Sequence, residues 1–183
     1  MQITMYDCSV KVMARMLGQL AGILRKGAAH AQAVGFDESV LLNGRLAPDM
    51  FPLSRRVQVA TDMAKGAAAR LSGFEPPVYA DDESTIETLL ARIDKTLAYL
   101  DTFEPAQIDG SEDRPVVSKT RHGTFYFDSG RDYLMDYALP NFYFQMSTAY
   151  LILRHNGVSI GLDDFLGAQN DNPPESAAEA RTA

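Results

Sequence analysis

Apolar residues recur at helical spacing in four parts of the chain, and this pattern predicts four long helices. The first series covers residues 10–24, the second 53–71 and the third 86–100, and the fourth starts near residue 130. Within each series the apolar positions alternate steps of three and four residues, which is typical of helices that cross at shallow angles. The sequence therefore predicts an all-α fold, a four-helix bundle.

Proline and glycine mark the ends of these helices. Pro52 precedes the second helix and suits a first turn, because its fixed φ is already helical. Gly73 follows the same helix, and Asn156 and Gly157 follow the fourth. Glycine accepts the left-handed conformation that commonly ends a helix, so both positions are predicted stops.

The connections between the helices differ in length and character. Residues 35–52 form a long connection, so the first and second helices need not be antiparallel neighbours. Between the third and fourth helices, apolar β-formers flank His122-Gly123 and predict a short β-hairpin with a tight turn. These flanking residues are Val116, Val117, Phe125, Tyr126 and Phe127. We predict one domain over residues 1–168 and a flexible C-terminal tail over 169–183, where the sequence is small, polar and broken by proline.

Composition and charge exclude several classes of partner. Hydrophobic residues make up 46% and charged residues 22% of the chain, as in ordinary soluble proteins. The net charge of -7 argues against nucleic acid. No apolar run approaches the ~18 residues that a membrane span needs. The single cysteine, Cys8, excludes an internal disulfide and fits a cytoplasmic location.

The fourth helix carries polar residues where its apolar face is expected. Stepping from Leu134 in threes and fours reaches Ala138, Asn141, Gln145, Thr148, Ile152 and His155. A buried amide costs about 1–3 kcal/mol unless it is hydrogen-bonded. These polar residues must therefore bond to one another, contact water, or line a pocket.

The second helix supports the pocket, because Gln58, Asp62 and Lys65 follow one side of it. We predict a polar cleft between the second and fourth helices, with Gln58, Asp62, Asn141, Gln145, Thr148 and His155 as candidate binding residues.

Structural interpretations of the same residues stay open. Gln58 and Gln145 could form a buried amide pair, Asp62 and Lys65 an exposed ion pair, and His155 a cap on the last helical turn. Small residues on the first two helices allow either tight packing within the bundle or a homodimer face. They are Gly18, Ala21, Gly22, Ala60, Ala64, Gly66, Ala67, Ala68 and Ala69. We expect the protein to form a homodimer.

Two segments resemble a known family. "LPNFYFQMSTAYLILRHNGVSIG", with "VQVATDMAKGAAARLSG" upstream, resembles the bacterial domain of unknown function DUF1993 in the DinB/YfiT-like superfamily. The resemblance extends over about residues 3–167 and implies that superfamily's four-helix bundle. Its better-known members are described as metalloenzymes, and some are thiol-dependent S-transferases. One histidine of the second helix and a His-x-x-x-His pair of the fourth hold their metal.

The resemblance places all three of those histidine positions on amides. Aligning Leu153, Arg154 and Gly157 with the family's helix ending puts the pair at Asn141 and Gln145, and the remaining position falls near Gln58. Amide oxygens are poor ligands for zinc or nickel, so we expect no metal and no cofactor. The sequence favours a module that binds a small polar ligand or a partner through a metal-free cleft. The alternative is a metal-dependent enzyme of the S-transferase type, and whether the protein is an enzyme stays open.

Overall fold

The computed structural model describes residues 3–120 and 123–167, which are mostly helical. The four predicted helices are present: α1 (Val12–Val34), α2 (Leu53–Leu71), α3 (Ile86–Leu100) and α4 (Leu139–His155). Short helices span Ser39–Leu42, Pro105–Ile108, Gly130–Asp132 and Leu162–Leu166, and π-helical segments span Asp7–Lys11 and Tyr133–Ala138. No helix within the described ranges is long and apolar enough to cross a membrane.

Helix α2 is the most deeply buried of the four, and it packs against both α3 and α4. Its small residues Ala60, Ala64, Ala67, Ala68 and Ala69 are all buried within the single chain. Small side chains let helix axes approach closely, so tight packing explains this part of the sequence and leaves no face of these residues for a second copy. On α1, by contrast, Gly18 and Gly22 are exposed.

The predicted helix ends are confirmed by the backbone. Pro52 is the N-cap residue of α2, and Gly73 follows that helix with φ of 80°. Gly157 follows α4 with φ of 89°. Both glycines adopt the left-handed conformation that other residues reach only with strain.

The predicted β-hairpin is also present. Strands β1 (Val116–Thr120) and β2 (Gly123–Phe127) pair antiparallel, with Val116 opposite Phe127. The predicted turn includes His122, which lies outside the described residues, as does the predicted tail. The aromatic ring of Phe127 lies 5.3 Å from that of Tyr137, so the hairpin packs on the segment that leads into α4.

One helical run connects Gly130 to His155, but it is not a regular α-helix throughout. A π-helical segment, Tyr133–Ala138, comes immediately before α4. Pro140 has no N–H and would clash with a carbonyl in the preceding turn, and a widened turn at this point relieves both problems. The π turn displaces the helix face by about one residue.

The buried face of α4 is wider than the predicted series. Ile152 of that series is fully buried, and so are Phe142, Met146, Ala149 and Leu153, each one residue beyond a predicted position. The polar residues therefore lie along the edge of the apolar face. Gln145 and Thr148 are buried there, Asn141 is half-buried, and His155 is exposed.

Two glycine substitutions should affect stability in opposite directions. A Cβ on Gly130 would collide with the backbone carbonyl of Ser111, whereas a Cβ on Gly22 meets no atom within 4 Å. We expect Gly130→Ala to lower the free energy of unfolding by about 1–3 kcal/mol and Gly22→Ala to raise that of the monomer by about 0.5–1 kcal/mol. Urea denaturation measures both, and equal effects of the two variants would contradict the close contact at Gly130.

Candidate functional site: a polar cleft between α2 and α4

A cavity of about 570 Å³ lies between α2 and α4, where the segment before α3 and the β-hairpin border it. Ligand sites in proteins typically occupy 300–1,000 Å³. Polar and aromatic side chains around it include Arg55, Asp62, Lys65, Tyr79, Asn141 and Gln145. The structure thus brings together three of the predicted cleft residues, Asp62, Asn141 and Gln145.

A chain of hydrogen bonds leads from α2 to the cavity. Nη1 of Arg56 donates to Oε1 of Gln145 at 2.9 Å, and Nε2 of Gln145 donates to Oδ1 of Asn141 at 2.9 Å. Asn141 and Gln145 are one helical turn apart on α4, which places their side chains on the same face. The buried amide of Gln145 is therefore satisfied at both its oxygen and its nitrogen.

Arg56 is a buried cation without a carboxylate partner among the described residues. Its side chain is 4% exposed, and Gln145 is its one hydrogen-bond partner in this part of the chain. The guanidinium lies 5.5 Å from the ring centre of Phe51 and 5.2 Å from that of Phe144, and its Nε has no hydrogen-bond partner within residues 3–120 and 123–167. Burial lowers the pKa of Arg56 from its usual value. Cation–π contacts offset only part of the cost of desolvating a guanidinium.

A second buried arginine, Arg92 of α3, has the opposite environment. Its terminal nitrogens contact three carboxylates: Glu83 at 2.9 Å, Asp62 at 2.9 Å and Asp81 at 3.2 Å. Its Nε donates to the hydroxyl of Thr61 at 2.7 Å. Arg92 thus neutralises one wall of the cleft and holds the segment that contains Asp81 and Glu83 against α2.

Tyr79 connects this segment to α2 and α3 through its ring. Nζ of Lys65 lies 4.4 Å from the ring centre, and Nζ of Lys95 lies 4.1 Å from it. Burial raises the pKa of the Tyr79 hydroxyl above its usual value. Cations attracted to the ring face keep Tyr79 at the border of the cavity.

The structure corrects two predicted pairings. Gln58 does not pair with Gln145: its Oε1 accepts from Arg55 at 3.0 Å and its Nε2 donates to Glu83 at 2.8 Å. Asp62 and Lys65 do form an ion pair, at 2.5 Å, but the Lys65 side chain is only 7% exposed, so the pair is not a surface pair. Residues 56 and 58 point to different sides of α2, which is why Arg56 and not Gln58 reaches α4.

Two other candidates lie away from the cavity lining. The Thr148 hydroxyl donates to the carbonyl of Phe144 at 2.7 Å, within α4 itself. His155 is exposed in the last turn of α4. That position suits the predicted role near the helix C-terminus and not a role in the cleft.

The sequence prediction missed Arg56, Arg92 and Tyr79. A signal for Arg56 existed, because it lies three residues after Leu53 and four before Ala60, on the apolar face of α2. A charged residue at such a position is buried together with its neighbours. Two of the carboxylates that contact Arg92, Asp81 and Glu83, come from a loop whose path no helical pattern predicts.

The residues present do not fit the metal that the superfamily resemblance implies. Gln58 is bonded on a different side of α2 from the pair on α4, and the oxygen of Gln145 already accepts from the Arg56 guanidinium. A guanidinium beside the intended ligand would also repel a metal cation. No group of three or more His, Cys, Asp or Glu within residues 3–120 and 123–167 could hold a metal ion.

Comparison with known proteins defines the class of protein and then the family. The structure is similar to the crystal structure of a DinB family member protein from Shewanella denitrificans, with 39% sequence identity and a TM-score of 0.83. The match covers 92% of this chain and 95% of that one. Residues 5–166 match the family described as "Domain of unknown function (DUF1993)", and the chain belongs to that family. No curated protein matches it significantly.

The two buried arginines should differ in their effects on stability. Arg92→Met removes a partner shared by three carboxylates, so we expect it to lower the free energy of unfolding by about 3 kcal/mol. Arg56→Met removes a buried charge without an ion-pair partner among the described residues, and we expect a change within about 1 kcal/mol of zero. Urea denaturation compares the two variants. An equally large loss in Arg56→Met would mean that Arg56 mainly stabilises the fold.

Proposed function

We propose that this protein is a small-molecule binding module of the DinB-like class, and that its ligand binds in the cleft between α2 and α4. The observation that carries the proposal is a cavity of ligand size bordered by the hydrogen-bonded amides Gln145 and Asn141. A few placed polar groups among aromatic side chains are the usual composition of such a site. Aromatic residues Phe51, Tyr79, Phe125 and Tyr137 supply the apolar part.

The charged groups of the cleft favour binding over acid–base catalysis. The carboxylates that border the cavity, Asp62 and Asp81, are both paired with cations. A general base needs a carboxylate that is placed to accept a proton from the substrate. Asp62 and Asp81 are instead paired with Arg55, Lys65 and Arg92, so they serve as structural residues of the cleft.

Ligand binding should stabilise the protein and should depend on Gln145. A ligand at a hundred times its dissociation constant adds about 2.7 kcal/mol to the free energy of unfolding. We expect a thermal-shift screen of small polar metabolites to find compounds that stabilise the wild type and not Gln145→Leu, which cannot hold Asn141. Thr148→Val is the matched control on the same helix, because among the described residues the Thr148 hydroxyl bonds only to the α4 backbone. Equal stabilisation of wild type and Gln145→Leu would place the ligand elsewhere.

The metal content of the purified protein tests the alternative, a metal-dependent enzyme of the S-transferase type. We expect no stoichiometric zinc, nickel or iron after purification without chelator, because the amide and guanidinium groups of the cleft do not favour a cation. Elemental mass spectrometry makes the measurement. One equivalent of bound metal would favour the transferase and contradict the metal-free cleft.

We also propose that the protein forms a homodimer, and the exposed face of α1 supports this. Gly18 and Gly22 lie there, and a Cβ added at either position would have no atom within 4 Å, so a second helix could approach closely. Sedimentation equilibrium measures the mass in solution. A monomer mass at all concentrations would contradict the proposal.

A further inference from the structure

The hydrogen-bond chain from Arg56 has a direction that chemistry alone dictates. A guanidinium only donates, so the Gln145 group that faces Arg56 must be its oxygen. The Gln145 nitrogen then faces Asn141, and the Asn141 group that faces it must be the oxygen. The remaining group, Nδ2 of Asn141, donates to no acceptor among the described residues, and Asn141 borders the cavity.

The cavity is more positive than the protein as a whole. Its charged side chains are four cations and two carboxylates: Arg55, Lys65, Arg70, Lys119, Asp62 and Asp81. Both carboxylates are paired with cations, and Arg92, which contacts both of them, is balanced by Glu83. The positive surplus of the lining therefore comes from Arg70 and from Lys119, which lies 4.0 Å from Glu75 on the exposed surface. Arg56 adds another behind Gln145. The chain nevertheless carries a net charge of -7, so this surplus is local.

From these two observations we infer that the cleft binds an anionic group of its ligand, a carboxylate or a phosphate, at Nδ2 of Asn141. The inference rests on the proposed binding function and names the chemical class of the ligand. Both groups accept hydrogen bonds and carry negative charge, so they match an N–H donor in a positive environment. Arg56 is a positioning residue here, because its guanidinium orients both amides without contacting the ligand.

The same geometry favours an anion over a cation. Nδ2 of Asn141 is a donor without an acceptor among the described residues, whereas both amide oxygens of the Arg56–Gln145–Asn141 chain already accept a hydrogen bond. A neutral amide ligand could accept a hydrogen bond from Asn141 but would gain nothing from the positive surplus. Binding strength should therefore rank anionic above neutral and neutral above cationic ligands of the same shape.

Asn141→Asp tests this ranking with little change in shape. The variant keeps an oxygen for Gln145 Nε2 and replaces the Nδ2 donor by a charged acceptor. The probes are benzoate, phenyl phosphate, benzamide and benzamidine, measured by calorimetry at low ionic strength. We expect the wild type to bind at least one anion about tenfold more tightly than benzamide. In Asn141→Asp, the affinity for that anion should fall about tenfold or more, and the affinity for benzamidine should rise.

Gln32→Glu is the matched control, because it adds the same charge on the exposed surface of α1. It should keep the wild-type ranking, and both variants should keep the wild-type melting temperature within a few degrees if the fold is intact. A reversal of preference in Asn141→Asp cannot come from loss of structure alone. Tighter binding of benzoate would indicate a carboxylate ligand, and tighter binding of phenyl phosphate would indicate a phosphate ligand.

The remaining outcomes separate this inference from the proposed function. Binding of benzamide or benzamidine in preference to both anions overturns the anionic class and leaves a binding cleft in place. Unchanged anion affinity in Asn141→Asp overturns the role of Asn141. If none of the four probes binds at millimolar concentration, while the metabolite screen also finds no ligand, both the inference and the proposed function fail.

Discussion

The close approach of α2 to its neighbours is the constraint on which the other features depend. Alanines such as Ala60, Ala64 and Ala67 are fully buried and let α3 and α4 pack directly against the α2 backbone. Interiors of this density leave few voids. A cavity of about 570 Å³ nevertheless lies beside this helix, and the long polar side chains of Arg55 and Lys65 stand at its border.

The two buried arginines show how one residue type serves stability and function differently. Arg92 has three carboxylates and a hydroxyl around it, so its charge is compensated and holds a loop in place. Arg56 has an amide and two aromatic rings around it, and its Nε has no partner in the part of the chain that the structure describes. Proteins tolerate such a destabilising arrangement where it serves a site. The site in question is the pair of amides, Gln145 and Asn141, that Arg56 orients beside the cavity.

The superfamily resemblance and the structure agree on where the cleft lies and differ on its chemistry. Asn141 and Gln145, which the resemblance places at the metal-binding positions of α4, both border the cavity. In this chain these amides are bonded to each other and to a guanidinium. A positive charge from the protein thus stands near the place where the resemblance implies a positive metal ion.

The sequence by itself determined the elements that depend on local interactions. Four helices follow from the apolar spacing, their ends from Pro52, Gly73 and Gly157, and the hairpin from its β-formers, because each signal acts within a few residues. Only the tertiary structure decided which side chains meet. The buried face of α4 includes Phe142 and Met146 beside the predicted positions, and the loop with Asp81 and Glu83 closes on Arg92. Such pairings depend on the packing of distant segments, which no local pattern encodes.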